Sequence, residues 1–192
     1  MQKRSLARQI SMRITIAQLV LPVLAVLLVS AIPAAAQPDW RFFAGFSDLR
    51  FESGTGHENA AGWGGAITQY ISTARWFGAT AEVSGVYKTY APDIHTSFYG
   101  VMLGPSFAYR KNPNIEPFVH ALFGWAGNTS NTGAKSVWVF GYALGGGADF
   151  KISKLLAVRG QADFVRTSFP DGYNDRQNNI RVLGGLVLRF AK

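Results

Sequence analysis

The residues of this chain that could carry out catalysis are few and scattered. The nearest approach to a nucleophile with its base is His95-Thr96-Ser97, a His-x-Ser pair that closely follows Asp93. A histidine can activate a serine hydroxyl when a carboxylate orients the imidazole. Here the pair is expected in a loop, the carboxylate is close in sequence, and no oxyanion-stabilising group is evident. We therefore predict no catalytic residues and no enzymatic activity.

The remaining histidines and the longest glycine run do not predict a metal or cofactor site. His57 lies in a polar segment and is expected to be solvated. His120 shares a strand face with Glu116, but no second ligand accompanies it at metal-site spacing, so a hydrogen bond is expected. Gly145-Gly146-Gly147 lacks the Lys-Ser/Thr pair and the helix that follow a phosphate-binding loop. No metal and no cofactor are predicted.

Charged residues instead recur with a period of two, the spacing of side chains on one face of a β-strand. In residues 179–190, NIRVLGGLVLRF, the even-numbered positions are apolar or glycine, and Arg181 and Arg189 lie on the other face. A soluble barrel would turn the apolar face inward. A membrane barrel turns it toward lipid and keeps the charges in the lumen.

Eight segments of roughly ten to fourteen residues have strand character, which is the length that a tilted membrane strand needs. They are residues 40–51, 62–73, 77–88, 97–110, 115–127, 136–151, 155–167 and 179–190. The connections alternate between three or four residues and eight to eleven, and the long ones are polar. Short periplasmic turns and long external loops are typical of outer-membrane barrels. The even strand number places both termini in the periplasm.

The two faces of these strands differ in composition. One face, predicted to contact lipid, contains an aromatic girdle: Trp63, Tyr87, Tyr99, Tyr109, Trp125, Trp138, Phe150, Phe164 and Phe190. The other face, predicted to line the lumen, contains a charge network: Arg41, Glu82, Lys88, Glu116, His120, Asp149, Arg159, Gln161, Asp163, Arg181 and Arg189. Aromatic rings near strand ends favour the lipid–water boundary, and opposite charges can pair across a narrow lumen.

A soluble barrel with a solvated outer face is the alternative to this arrangement. It would bury the aromatic class inside, where eight strands leave no room for so many rings. Two residues of the lipid class fit the membrane interpretation poorly. Gln69 indicates a bulge or a different register, and Arg166 lies near the external end, from which it can extend to the membrane surface.

Residues 1–36 are predicted to be a cleaved signal peptide. A basic start without acidic residues precedes an apolar run over residues 14–32. Ala34-Ala35-Ala36 supplies the small-residue pattern of a cleavage site before Gln37. A retained transmembrane helix is the alternative, and Pro22, Pro33 and the lack of a following basic cluster disfavour it.

Residues 37–192 are then expected to form one domain of the mature protein. Removal of the signal peptide lowers the formal net charge from +8 to +4, because that segment holds four of the 19 basic residues and none of the 11 acidic ones. No basic cluster remains, so nucleic acid is not an expected partner. The chain contains no cysteine, which excludes a disulfide framework.

An ordered set of segments resembles the OmpA-like outer-membrane β-barrel domain family in its small single-domain form. The segments are WRFFAGFSDLRFE, GWGGAITQYI, LGPSFAYR, IEPFVHALFG, LGGGADFKI, LAVRGQADFVRT and NNIRVLGGLVLRF. The resemblance implies an all-β fold, an eight-stranded antiparallel up-and-down transmembrane β-barrel. It also implies insertion by the outer-membrane assembly machinery, with Gly185, Leu188 and Phe190 matching the terminal Gly-x-x-apolar-x-aromatic signal. Leu183, and Ala191-Lys192 after the terminal aromatic, depart from the family pattern.

The function expected from these features is that of an integral protein of the bacterial outer membrane. We predict a structural or interaction role, a lumen plugged by side chains and exposed external loops. The alternatives are a narrow porin-like channel or, by comparison with barrel enzymes that use a His-x-Ser pair, a lipid A-modifying enzyme. The expected partners are outer-membrane lipid, lipopolysaccharide and the assembly machinery, and the protein is expected to be a monomer.

Overall fold

Eight β-strands form a closed antiparallel barrel. The computed structural model describes residues 39–53, 56–71, 75–91, 94–130, 136–169 and 177–190. The strands are β1 (Asp39–Ser53), β2 (Gly56–Tyr70), β3 (Phe77–Ala91), β4 (Ile94–Ala108), β5 (Ile115–Ser130), β6 (Val137–Lys151), β7 (Leu156–Thr167) and β8 (Gln177–Phe190). Each strand pairs with the next one, and β8 pairs with β1. The predicted eight-stranded up-and-down barrel is confirmed. Within the described ranges, no helix is long and apolar enough to cross a membrane.

The predicted signal peptide and its cleavage before Gln37 lie outside the described residues, and both stay predictions. Ala191 and Lys192, which follow the terminal aromatic, also lie outside them.

The first two long loops predicted from sequence, residues 52–61 and 89–96, are largely strand. β1 continues to Ser53 and β2 begins at Gly56, while β3 continues to Ala91 and β4 begins at Ile94. The strands contain 12 to 16 residues, whereas a tilted strand crosses the hydrocarbon layer in about 9–11. We expect the surplus residues to pair beyond the bilayer, where water solvates polar side chains and no apolar alternation is required.

The two faces of the strands differ in exposure, as the alternation predicts. In β7 and β8 nearly every second residue is buried. The buried set contains small apolar clusters, including Phe43 with Leu183 and Val187, and Met102 with Leu122. Large apolar side chains of the opposite face remain exposed. Because the buried face also contains most of the charges, the exposed apolar face is the one suited to lipid.

Two details of register bear on the barrel wall. β1 and β8 close the barrel where Gly45 lies opposite Gly185, and a Cβ on Gly185 would collide with the backbone of β1. Glycine therefore permits the close approach of the two strands there. Neither the bulge nor the different register considered for Gln69 is found, since its pairing with Trp40 and Ala79 is continuous. Gln69 is buried on the outward side, and the register shift lies instead between Thr89 and Ala91.

Candidate functional site

The lumen contains the charged residues that the alternation assigned to it. Most of them are at most 6% exposed: Arg41, Glu82, Glu116, His120, Asp149, Arg159, Gln161, Asp163 and Arg181. Arg189 is partly exposed on the same face, and so is Lys88. An isolated buried charge costs several kcal/mol, so the arrangement of partners decides whether this interior is stable. Apart from Lys88, these residues fall into two groups at different heights of the barrel.

The first group, which we call the mid-lumen cluster, surrounds Arg181. Its guanidinium pairs with Glu82, and its Nη2 lies 2.6 Å from Asp163 Oδ2. His120 Nε2 lies 3.0 Å from the other Asp163 oxygen. Gln161 Nε2 donates to Asp163 Oδ2 at 2.9 Å and to Glu82 Oε2 at 3.3 Å. Since β3 and β7 lie opposite each other in an eight-stranded barrel, the contact between Glu82 and Gln161 crosses the lumen.

The second group lies near the three short turns, at the end of the barrel that we call the turn end. Arg41 and Arg189 are neighbours across β1 and β8, and Glu116 and Asp149 are neighbours across β5 and β6. Arg41 Nη1 reaches Glu116 Oε1 at 2.6 Å and Asp149 Oδ2 at 3.3 Å. Arg159 Nε pairs with Asp149 at 2.7 Å. Two adjacent cations thus face two adjacent carboxylates across the barrel, and we call this group the turn-end cluster.

Aromatic rings occupy the space around these guanidinium groups. The Arg159 guanidinium lies 4.3 Å from the centre of the Phe118 ring and 5.2 Å from that of Phe43. Arg41 and Arg110 both lie over the Tyr70 ring, at 5.0 and 4.2 Å. A guanidinium is weakly hydrated and stacks on ring faces, so these contacts stabilise the charges and also fill the interior.

The opposite end, which we call the loop end, is narrowed by apolar side chains. Phe98 is on the lumen face of β4, and Phe169 follows the end of β7. Their ring centres are 6.4 Å apart in an edge-to-face arrangement, and Phe169 is buried. Because β4 and β7 are separated by two strands, the pair extends over part of the lumen. Side chains therefore occupy the lumen at three heights.

The residues predicted for the aromatic girdle all point outward. They are between 37% and 57% exposed: Trp63, Tyr87, Tyr99, Tyr109, Trp125, Trp138, Phe150, Phe164 and Phe190. Trp63 Nε1 donates to the Tyr87 hydroxyl at 3.1 Å, which links β2 to β3. Some rings cover neighbouring glycines: a Cβ on Gly127 would meet the Trp138 ring at 2.6 Å. Their position at the membrane boundary stays a prediction.

The structure describes only some of the residues considered for catalysis or metal binding, and those that it describes are not assembled into a site. β4 begins at Ile94, so His95 lies on a strand and not in the predicted loop, and Ser97 lies on the same strand. Ser97 pairs with Tyr87 and Thr129, and neither neighbour is a carboxylate. The side chains of His57 and His95, and all of Asp93, lie outside what the structure describes. Among the described residues, no group of three or more His, Cys, Asp or Glu side chains is placed to hold a metal.

Three members of the turn-end cluster were missed by the sequence analysis. Arg110 Nη1 lies 2.5 Å from Asp39 Oδ2, and its Nε lies 2.9 Å from Glu116 Oε1. Lys151 Nζ is 3.6 Å from Glu116 Oε2. Each of these three residues lies an even number of positions from a lumen-facing residue on its own segment. Continuing the alternation along the segment therefore places its side chain in the lumen. Asp39 was placed before the first strand, and Arg110 and Lys151 were treated as strand termini.

Comparisons with known proteins agree with this geometry. The family model described as "Outer membrane protein beta-barrel domain" matches residues 21–190. No curated protein matches the chain significantly. Neisserial surface protein A is similar in structure, with a TM-score of 0.66 and 9% identity, over 79% of this chain and 97% of that protein.

Two further solved structures show the same fold. The attachment invasion locus protein Ail of Yersinia pestis has a TM-score of 0.56 at 17% identity, over 80% of this chain and 99% of Ail. The N-terminal β-barrel domain of Pseudomonas aeruginosa OprF has a TM-score of 0.53 at 14% identity, over 81% of this chain and 98% of that domain. The chain therefore belongs to the outer-membrane protein β-barrel domain family, as a small eight-stranded barrel of the bacterial outer membrane.

Proposed function

We propose that this protein is a closed outer-membrane barrel with a structural or interaction role, and that it neither conducts solutes nor catalyses a reaction. The observation that carries the proposal is the ion pair between Arg41 and Glu116, 2.6 Å long, which joins the opposite strands β1 and β5. An eight-stranded barrel has an interior just wide enough for its side chains. A direct pair between opposite walls places side chains across the lumen at that height.

The mid-lumen cluster and the Phe98–Phe169 pair support the same conclusion at two other heights. The ion pairs of the two clusters hold most of the charged side chains of the lumen in place. This leaves the outer surface, the turns and the loops as the parts of the protein that contact other molecules.

The closed lumen predicts that the protein does not conduct ions. The mature protein, folded and inserted in planar lipid bilayers, is expected to give no stable current steps, while a general porin inserted in the same membranes gives them. Stable steps whose size changes in Arg41→Ala would show that ions pass the turn-end cluster and would favour the alternative of a narrow channel.

We further propose an orientation with the short turns in the periplasm and the polar loops outside the cell. Outer-membrane barrels have short periplasmic turns and longer extracellular loops. Outer-membrane lipid and lipopolysaccharide are then the proposed surroundings of the exposed face, and the protein is proposed to act as a monomer. Gly185, Leu188 and Phe190 are the proposed signal for the assembly machinery, with Leu188 and Phe190 exposed on the outward face of β8.

A further inference from the structure

At the turn end of the barrel, the described residues include exposed cations but no exposed carboxylate. Each of the three short turns contributes one exposed cation: Arg75, Lys111 and Lys154. The carboxylates among the described residues of this end are Asp39, Glu116 and Asp149. All three point into the lumen and form the ion pairs of the turn-end cluster. The outer rim of this end is therefore purely basic in the part of the chain that the structure describes.

The basic rim is not a consequence of a generally basic surface. In sequence, the four segments predicted as long loops contain five acidic residues and two basic ones. They are Glu52, Glu58, Asp93, Asp171 and Asp175, with Lys135 and Arg176. In sequence, the segments predicted as long loops thus carry a net negative charge, and an anionic partner is favoured at the basic rim of the turn end.

Exposed apolar side chains lie directly beside these cations. Trp76 follows Arg75, and Leu155 follows Lys154; they are 59% and 60% exposed. The Trp76 ring stacks on Phe107 with 5.9 Å between centres, which fixes it at the outer wall. Aromatic and apolar side chains of this kind settle at the membrane boundary, so the neighbouring cations lie at the depth of the lipid headgroups.

In two of the turns, side-chain oxygens accept hydrogen bonds from backbone N–H groups and hold the backbone that carries the cation. In the turn before β5, the Asn112 side-chain oxygen accepts hydrogen bonds from Asn114 N at 2.8 Å and Ile115 N at 3.2 Å. In the turn before β7, Ser153 Oγ accepts from Leu156 N at 3.0 Å. Lys111 and Lys154 therefore project from fixed positions, which lowers the entropy lost when they bind a ligand.

We propose that Arg75, Lys111 and Lys154 bind the phosphates of anionic phospholipids, of the phosphatidylglycerol class, in the periplasmic leaflet. An anionic headgroup fits this rim better than a zwitterionic one, because the described residues of the rim offer cations to the phosphate but no exposed carboxylate to an amine. The assignment to the periplasmic leaflet rests on the orientation proposed above, whereas the binding chemistry does not depend on it.

Native mass spectrometry of the folded mature protein in detergent tests the binding chemistry without reference to orientation. The protein is titrated with phosphatidylglycerol and, separately, with phosphatidylcholine of the same acyl chains, at low salt. Preferential retention of phosphatidylglycerol is expected. In the triple variant Arg75→Gln/Lys111→Gln/Lys154→Gln, the affinity for phosphatidylglycerol should fall by roughly fivefold for each removed cation. Affinity for phosphatidylcholine should change little.

A matched variant removes three cations from the other half of the barrel, Arg50→Gln/Lys88→Gln/Arg166→Gln. It has the same net charge as the first variant and should keep the preference for phosphatidylglycerol. Equal losses in both variants would show a non-specific effect of net charge and would overturn the proposal. Equal retention of the two lipids by the unmodified protein, with capture of a carboxylate-bearing cell-wall peptide instead, would assign the rim to the cell wall. Orientation is read separately, from protease access to the turns in intact cells.

Discussion

Replacing Arg181 by methionine is expected to lower the free energy of unfolding by about 3–5 kcal/mol. Methionine keeps most of the side-chain volume but removes the partner that Glu82 and Asp163 share in the mid-lumen cluster. The two carboxylates, at most 3% exposed, would then face each other without a full positive charge between them. Urea unfolding of the protein in lipid vesicles measures the loss, with the heat-dependent gel shift reporting the folded fraction.

Two variants separate this effect from general damage. In the triple variant Arg181→Met/Glu82→Gln/Asp163→Asn the uncompensated charge is removed, and most of the stability should return. Arg166→Met changes an arginine that lies on the outward face of the adjacent strand β7, and a shift within about 0.5 kcal/mol is expected. A loss below about 1 kcal/mol for Arg181→Met would show that water, not side-chain pairing, solvates this part of the lumen.

Replacing Leu186 by arginine is expected to cost about 2–4 kcal/mol of stability in a bilayer. Leu186 is 53% exposed and lies near the middle of the outward apolar positions of β8. A charge there meets hydrocarbon with no partner in reach. Ile180, 57% exposed on the same face, lies near the loop end of β8. Ile180→Arg should cost only about 0–1 kcal/mol, because its side chain reaches the membrane surface.

Unfolding titrations in vesicles compare these two variants directly, and the same titrations in detergent give the control without a bilayer. Equal costs at positions 180 and 186 would contradict the placement of β8 across the hydrocarbon layer. Val187 would be a poor inward comparison, since it is completely buried against Phe43 and Leu183 and an arginine would overpack the interior.

The alternation of apolar and polar residues along the strands was sufficient to predict the barrel and the kinds of residue on its inner and outer faces. The signal is strong because lipid on one side and a charged lumen on the other enforce opposite chemistry at successive residues. The alternation signal weakens where two paired strands extend out of the bilayer, because both of their faces then contact water. For this reason the ends of the first two hairpins were predicted as loops and are in fact paired strand.

Which charges pair across the lumen could not be predicted from the sequence. Alternation places Arg41 and Glu116 on the inner face, but it does not say which inner residues share a height. That depends on the stagger between all eight strands and on how β1 meets β8, which sets Arg41 beside Arg189. The cation–ring contacts of Arg159 depend on the same closure.

The central claim is that the apolar face of each strand contacts lipid while the charged face closes the lumen. Single cysteines test it directly, because the native chain contains none. Val182→Cys and Leu186→Cys, placed outward, should be shielded from a water-soluble thiol reagent in vesicles. A fluorescent label attached to them before the protein is transferred to vesicles should be quenched by brominated phospholipids. Ser47→Cys and Ser106→Cys are near-isosteric changes at positions 1% and 2% exposed, and they should react only after unfolding. Labelling of the two inner cysteines in the folded protein, together with outer labels that brominated lipid does not quench, would contradict the account.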